Sequence, residues 1–185
     1  MTAIDVTIRI GGVFASDRAA VVRTVLGSCI AVCLYDPVSR VGGMNHYMLP
    51  SGDDVLHQED PARYGLQAME VLLGSMQKLG ARRDRLVAKL FGGGHVLATA
   101  SSDGTVPIRN IEFIRSYVRE EKLKVVSQDL GGNSPRAVHF YTHTGKALVK
   151  LLSKNATPEI AQVERKVVQR GSIPMESAIT LFDDL

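Results

Sequence analysis

The sequence predicts a single α/β domain whose strands are not all parallel. Short, β-branched apolar runs typical of buried strands recur along the whole chain, for example over residues 21–25 and 30–35. Two segments with apolar residues at helical spacing lie between these runs. A tight turn at Thr144 and Gly145 joins two neighbouring strands as a hairpin, a connection that only antiparallel strands make.

The strands are predicted from periodicity and from the glycine and proline residues that bound them. Alternating side chains predict a first strand over residues 4–10, which Gly11 and Gly12 end. Asp36 and Pro37 form a turn, and Pro50 stops a later strand. The other predicted strands cover residues 21–25, 30–35, 41–49, 86–91, 125–130, 137–142 and 147–152.

Two main helices are predicted between the strands. Asp60 and Pro61 form a helix start, and Gly80 ends that helix. Its apolar stripe is expected to pack into the core and consists of Leu66, Met69, Leu73 and Met76. The second helix is predicted over residues 110–121.

Composition excludes several classes of protein. With 45% hydrophobic and 22% charged residues among 185, the chain is too apolar to be disordered. No run approaches the roughly 20 apolar residues of a membrane span. Asp5 and Arg9 interrupt the apolar stretch that a signal peptide needs, so we expect a soluble cytoplasmic protein. The net charge of +3 is spread out, and no basic patch with aromatic residues predicts nucleic-acid binding.

Metal and nucleotide motifs are incomplete. Two cysteines cannot form a multi-bridge framework, and Cys29 and Cys33 are expected to be reduced thiols. A lone Cys-x-x-x-Cys is a weak zinc signal, and His139 and His143 would lie about 13 Å apart on one strand. The glycines of residues 92–94 lack the third glycine of a dinucleotide motif. We therefore expect no metal.

Cys29 and His46 carry the sharpest functional hypothesis. Cys29 follows Gly27 and Ser28 in a small-residue turn, which lets a side chain project and turns backbone N–H groups toward an incoming carbonyl oxygen. His46 lies on the next strand, where its imidazole can take the proton of the thiol. From these residues alone two interpretations stay open: a nucleophilic cysteine with its base, or a buried cysteine beside a hydrogen-bonded core histidine.

The blocks around these residues resemble the CheD family of chemoreceptor glutamine deamidases. The main blocks are TVLGSCIAVCLYD at residues 24–36 and GGMNHYMLP at residues 42–50. Further blocks follow in the same order, at Tyr64, AKLFGGG at 88–94, IRN at 108–110 and DLGG at 129–132. Several ordered blocks that end near residue 152 argue against a chance match.

The resemblance implies catalytic roles for three side chains. In the CheD family a cysteine of the Leu-Gly-Ser-Cys turn is the nucleophile and a histidine of a Gly-x-x-His block is its base, which correspond to Cys29 and His46. A threonine shortly before the cysteine orients the histidine. Thr24 is the only threonine nearby, although family members differ by one position here and Arg23 complicates the register.

The resemblance also implies a fold, a reaction and partners. We expect a three-layer α/β domain that deamidates glutamine side chains of methyl-accepting chemoreceptors to glutamate, with receptor methylesterase activity as a second chemical option. Backbone N–H groups of Gly27, Ser28 and Cys29 are the expected oxyanion donors, and the reaction needs no cofactor. A CheC-type phosphatase is the expected regulatory partner. The alternatives are a non-enzymatic adaptor that binds chemoreceptors or the phosphatase, and a generic thiol protease or transglutaminase-like enzyme.

The predicted organisation is a CheD-like domain over residues 1–154 and a C-terminal extension over residues 155–185. No repeat or linker divides the first region. Thr157 and Pro158 cap a predicted helix that reaches about Gln169, and the purpose of this helix is open.

Overall fold

Two five-stranded sheets and two long helices make up the described part of the chain. The computed structural model describes residues 3–49, 62–96, 105–153, 162 and 179–181. The strands are β1 Ile4–Ile8, β2 Val13–Ser16, β3 Ala20–Leu26, β4 Ile30–Asp36, β5 Val41–Tyr47, β6 Val87–Gly92, β7 Lys124–Leu130, β8 Arg136–Tyr141, β9 Lys146–Leu151 and β10 Ile179–Leu181. The helices are α1 Ala62–Lys78 and α2 Thr105–Glu120, and a 3₁₀ turn covers Arg83–Arg85.

Both sheets are mixed, as predicted. The first sheet has the strand order β10-β1-β3-β8-β9, and the second has the order β2-β5-β4-β6-β7. The pairs β1–β3 and β6–β7 are parallel, and the other pairs are antiparallel. The predicted hairpin is formed by β8 and β9.

The layers follow from two separate apolar clusters. One cluster joins the helices to the second sheet and includes Met69, Leu72 and Ile114. The other fills the space between the two sheets and includes Val22, Phe91 and Phe140. Helices, second sheet and first sheet thus form the expected three-layer α/β domain. We call the side of each sheet that faces the other sheet its inner face.

Helix α1 departs from its predicted stripe at one position. Met69, Leu73 and Met76 are buried as expected, but Leu66 is 41% exposed and Leu72 is fully buried instead. Gly80, which has a φ of +94°, follows the helix end, where a left-handed residue is favourable. None of the described helices has the length and apolar character needed to cross a membrane.

Two strands and one helix start differ from the prediction. Strand β2 is four residues long and pairs with the edge of the second sheet at β5, and its apolar run lacks the alternation that predicts strands. Strand β10 pairs with β1. Helix α2 begins at Thr105 rather than residue 110. Its first turn can include Pro107, because an N–H group in the first turn has no partner within the helix and its absence costs nothing.

The C-terminal extension is described only in part. Residue 162 is helical, and the rest of the predicted helix at 157–169 lies outside the described residues. Strand β10 shows that residues 179–181 belong to the first sheet, so this part of the extension is a strand. The domain division at residue 154 stays a prediction.

Candidate active site

Cys29 lies where the chain crosses from one sheet to the other. Strand β3 belongs to the first sheet and β4 to the second, and Gly27, Ser28 and Cys29 are the residues between them. Cys29 directly precedes β4 and packs with Ala31 in the cluster between the sheets, because alternate residues of an extended segment share a face. The turn therefore directs the Cys29 side chain inward, between the two sheets, and the residue is only 1% exposed.

Hydrogen bonds to its three carbonyl groups hold the Cys29 turn in place. The N–H of Gly94 donates to the carbonyl oxygen of Gly27 at 2.8 Å, and the N–H of Gly93 donates to that of Cys29 at 2.8 Å. Between them, the side-chain amide of Asn110 donates to the carbonyl oxygen of Ser28 at 2.8 Å. The peptide planes of the turn are fixed by these bonds before any substrate binds.

The glycines of residues 92–94 have a structural reason that the sequence did not suggest. Gly92 and Gly93 have φ values of +115° and +66°, a region that residues with a side chain rarely adopt. A Cβ atom on Gly92 would also collide with the carbonyl oxygen of Cys29. The glycines thus let the end of β6 approach the backbone of the cysteine turn closely.

His46 lies on β5, next to the cysteine segment. It pairs directly with Ala31 of β4, and Cys29 is two residues before Ala31 on the same face. Diagonal neighbours of this kind are about 7–8 Å apart across an antiparallel pair, within reach of long side chains. The His46 backbone is held at both ends, because its N–H donates to Gly12 and its carbonyl oxygen accepts from Gly11.

Thr24 contacts the imidazole from the first sheet. Its Oγ1 lies 2.7 Å from His46 Nδ1 and donates to the carbonyl oxygen of Ile8 at 2.9 Å. When the hydroxyl gives its one proton to Ile8, its oxygen accepts from His46 Nδ1–H, and this assignment satisfies both contacts. The neighbouring Arg23 faces the other way and pairs with Asp5, so Thr24 and not Arg23 lies beside the imidazole.

This contact favours the tautomer of His46 that carries its proton on Nδ1. With the proton on Nδ1, the lone pair is on Nε2, and this buried atom has no hydrogen-bond partner within the part of the chain that the structure describes. Burial lowers the pKa of His46 to about 4, and the Ile8 carbonyl opposes this shift. At neutral pH the ring is therefore uncharged, and Nε2 can accept a proton.

Other candidate residues are not brought to this site. Cys33 faces the same intersheet space further along β4, and burial raises the pKa of its thiol, so it is protonated at neutral pH. Among the described residues no group of three His, Cys, Asp or Glu side chains could hold a metal ion. His57 lies outside the described residues.

Asn110 is a site residue that sequence reasoning did not find. It is fully buried on α2, and besides Ser28 it contacts Leu49, whose N–H donates to Asn110 Oδ1 at 2.9 Å. The available signal was a polar residue on the apolar face of a helix, one residue before Ile111. The sequence does not show this signal, because the helix is predicted to start at residue 110, and a polar residue is common at a helix start.

Comparison with known proteins agrees with the resemblance. The family model described as "CheD chemotactic sensory transduction" matches residues 48–151. The chain belongs to the CheD family. Relatives in Dechloromonas aromatica and Chromobacterium violaceum are each 44% identical; they align to 93% of this chain, over 86% and 87% of their own lengths. One in Stenotrophomonas maltophilia strain K279a is 42% identical over 90% of this chain and 83% of its own.

The relatives extend the match beyond the family model. All three carry the name "probable chemoreceptor glutamine deamidase CheD", with a number added in two cases. The family model begins at residue 48, after Thr24, Cys29 and His46. The alignments that cover 93% of the chain are long enough to include all three residues.

Proposed function

We propose that this CheD-family chain is a cysteine amidohydrolase that deamidates glutamine side chains of methyl-accepting chemoreceptors to glutamate. The observation that carries the proposal is the hydrogen bond of 2.7 Å between Thr24 and His46, on the inner face that the Cys29 side chain shares. This bond leaves Nε2 as the basic atom of the ring. Thr24, His46 and Cys29 then act as orienting group, base and nucleophile.

The first half of the reaction forms a thioester. Neutral His46 takes the Cys29 proton on Nε2 as the sulfur attacks the carbon of the glutamine carboxamide, and the electron pair of the C=O bond moves to oxygen. The tetrahedral intermediate collapses, the C–N bond breaks, and His46 gives its proton to the departing ammonia. Acid–base catalysis of this kind contributes about 10²–10⁴-fold.

The second half consumes one water. His46 takes a proton from the water as its oxygen attacks the thioester carbon, the C–S bond breaks, and His46 gives this proton to the sulfur, which restores the thiol and the neutral imidazole. The products are a glutamate side chain and ammonia. A glutamyl methyl ester has the same acyl carbon, so the same residues can hydrolyse it with methanol as the leaving group.

Backbone N–H groups of the cysteine turn serve as oxyanion donors. The C=O and N–H of a trans peptide unit point in opposite directions. The carbonyl oxygens of Gly27 and Ser28 are held by Gly94 and Asn110, so the N–H groups of Ser28 and Cys29 point away from these partners. One such donor contributes about 10²–10³-fold to kcat.

The partners follow from the substrate. The reaction requires the cytoplasmic part of a chemoreceptor, so we place the enzyme in the cytoplasm. The proposal includes a CheC-type phosphatase as the regulatory partner. It also has the protein act in solution, without insertion into a membrane and without binding to nucleic acid. Thr24, His46 and Cys29 supply the nucleophile and the proton transfers, and no cofactor enters these steps.

A mass measurement tests the proposal. The full chain is incubated with purified cytoplasmic fragments of a methyl-accepting chemoreceptor, and peptide maps report each amide that becomes a carboxyl group. Cys29→Ala should lower the rate by at least about 10⁴-fold, because nothing replaces the nucleophile. The matched control Cys33→Ala removes the other buried thiol and should keep the activity.

Other outcomes identify the alternatives. Deamidation that persists in Cys29→Ala contradicts the mechanism. Cleaved receptor peptides in place of mass gains support a thiol protease. Receptor binding by the unmodified chain with no mass gain supports an adaptor.

A further inference from the structure

Asn110 joins the two segments that carry the proposed nucleophile and base. Its Nδ2 donates to the Ser28 carbonyl at 2.8 Å, and its Oδ1 accepts from the Leu49 N–H at 2.9 Å. Ser28 precedes Cys29 directly, and Leu49 follows His46 by three residues. Since one partner is an acceptor and the other a donor, the amide can adopt only one orientation.

The bond to Ser28 has a direct effect on Cys29. The Ser28 carbonyl and the Cys29 N–H belong to one planar peptide unit and point in opposite directions. By holding the carbonyl toward α2, Asn110 directs the Cys29 N–H away from α2. Gly94 and Gly93 hold the carbonyls on either side, and Asn110 holds the carbonyl of this peptide unit.

The position of Asn110 makes this constraint rigid. The residue lies in the second turn of α2 and is fully buried, and Ile114, one turn further, packs in the cluster between helices and second sheet. Both of its side-chain bonds are also buried. A buried amide with both bonds satisfied resists reorientation, since any other orientation leaves its own groups and those of its partners without hydrogen bonds.

We propose that Asn110 is a positioning residue for deamidation, which orients the Cys29 N–H as an oxyanion donor and fixes the cysteine turn relative to the strand of His46. This inference rests on the proposed function. Asn110 does not touch the reacting atoms; it acts through the peptide unit between Ser28 and Cys29. Its effect is therefore specific to steps in which negative charge develops on a carbonyl oxygen.

Two variants separate the two bonds. Asn110→Ala removes both, whereas Asn110→Asp keeps an acceptor for the Leu49 N–H and, when ionised, loses the donor to Ser28. The control Thr142→Val removes a fully buried hydroxyl that accepts from the Ala20 N–H and donates to the Arg18 carbonyl, at the end of β3 opposite to the cysteine turn. Near-UV circular dichroism gives the folded fraction of each variant, and every rate is normalised to it.

Two reactions of the same thiol provide the readout. Deamidation of a receptor fragment forms an oxyanion, whereas alkylation of Cys29 by iodoacetamide is a displacement at a methylene carbon and forms none. We expect kcat for deamidation to fall about 10²-fold or more in Asn110→Ala, and in Asn110→Asp once its carboxyl group is ionised. KM and the alkylation rate should stay near their wild-type values, and Thr142→Val should keep both rates.

Each contrary outcome has a defined meaning. A wild-type kcat in Asn110→Ala, or deamidation and alkylation that fall by the same factor, overturns the positioning role. If Cys29→Ala still deamidates the fragment, the proposed function itself fails. If Cys29→Ala is inactive and the Asn110 variants are fully active, only the present inference fails.

Discussion

Replacing Thr24 with valine removes one hydroxyl group and keeps the shape of the side chain. In the structure this hydroxyl donates to the Ile8 carbonyl at 2.9 Å and lies 2.7 Å from His46 Nδ1. The variant leaves a carbonyl oxygen and a ring N–H buried without these partners. We therefore expect the free energy of unfolding to fall by about 1–3 kcal/mol.

The effect of Thr24→Val on catalysis has a separate cause. In the proposed mechanism His46 becomes positively charged when it takes the Cys29 proton, and the threonine oxygen then accepts from a charged donor. Such a bond contributes about 1.5–3 kcal/mol, which corresponds to a loss of about 10- to 150-fold in kcat/KM. Thr24→Ser keeps the hydroxyl and should retain most of the activity.

Three measurements check the reasoning on Thr24. Receptor deamidation gives kcat/KM, urea unfolding gives the stability, and ¹⁵N NMR of labelled histidine shows whether the proton is on Nδ1 of His46. A folded Thr24→Val protein with wild-type kcat/KM would refute the orienting role. The tautomer assignment is refuted if the wild-type spectrum shows the proton on Nε2.

Three further perturbations test neighbouring features. Burial lowers the pKa of His46 from 6.5 to about 4, so between these pH values the imidazole is protonated in the unfolded chain but not in the folded one. The free energy of unfolding should therefore decrease by about 3 kcal/mol as the pH falls through this window. Urea titrations of His46→Gln should lack that decrease. Gly92→Ala forces a Cβ against the Cys29 carbonyl at a φ of +115°, and the resulting strain should lower the deamidation rate at least about tenfold. The control Gly74→Ala, where a Cβ has open space, should keep the wild-type rate. In Cys33→Ala, mass spectrometry after alkylation should find the label on Cys29 only, with a loss of stability of about 1 kcal/mol; a label-free protein would contradict the assignment.

The sequence predicted the parts of the fold that depend on local pattern. Strands such as β3 and β4 are recognisable because β-branched apolar runs favour extended structure whatever their neighbours are. Alternation also places Thr24 on the same face as Val22 and Leu26, which are both in the intersheet cluster. The period-two pattern alone therefore places Thr24 on the buried face of β3.

The parts that could not be predicted depend on contacts between distant segments. Nothing local shows that Gly94 meets Gly27 or that Asn110 reaches Ser28, because these pairs are brought together only by the packing of β6 and α2 against the turn. The sequence leaves the burial of Cys29 open for a similar reason. A small-residue turn looks exposed in sequence, but here it connects two sheets whose inner faces pack together.

The three proposed catalytic side chains are distributed over both sheets. Thr24 belongs to the first sheet, His46 to the second, and Cys29 to the segment that links them. The relative position of these side chains therefore depends on how the two sheets pack together, through residues such as Phe140 and Phe91. A slight sliding of one sheet over the other would separate base from orienting group while every strand stayed intact. On heating, activity should accordingly disappear together with the ordered aromatic environment, before strand content declines.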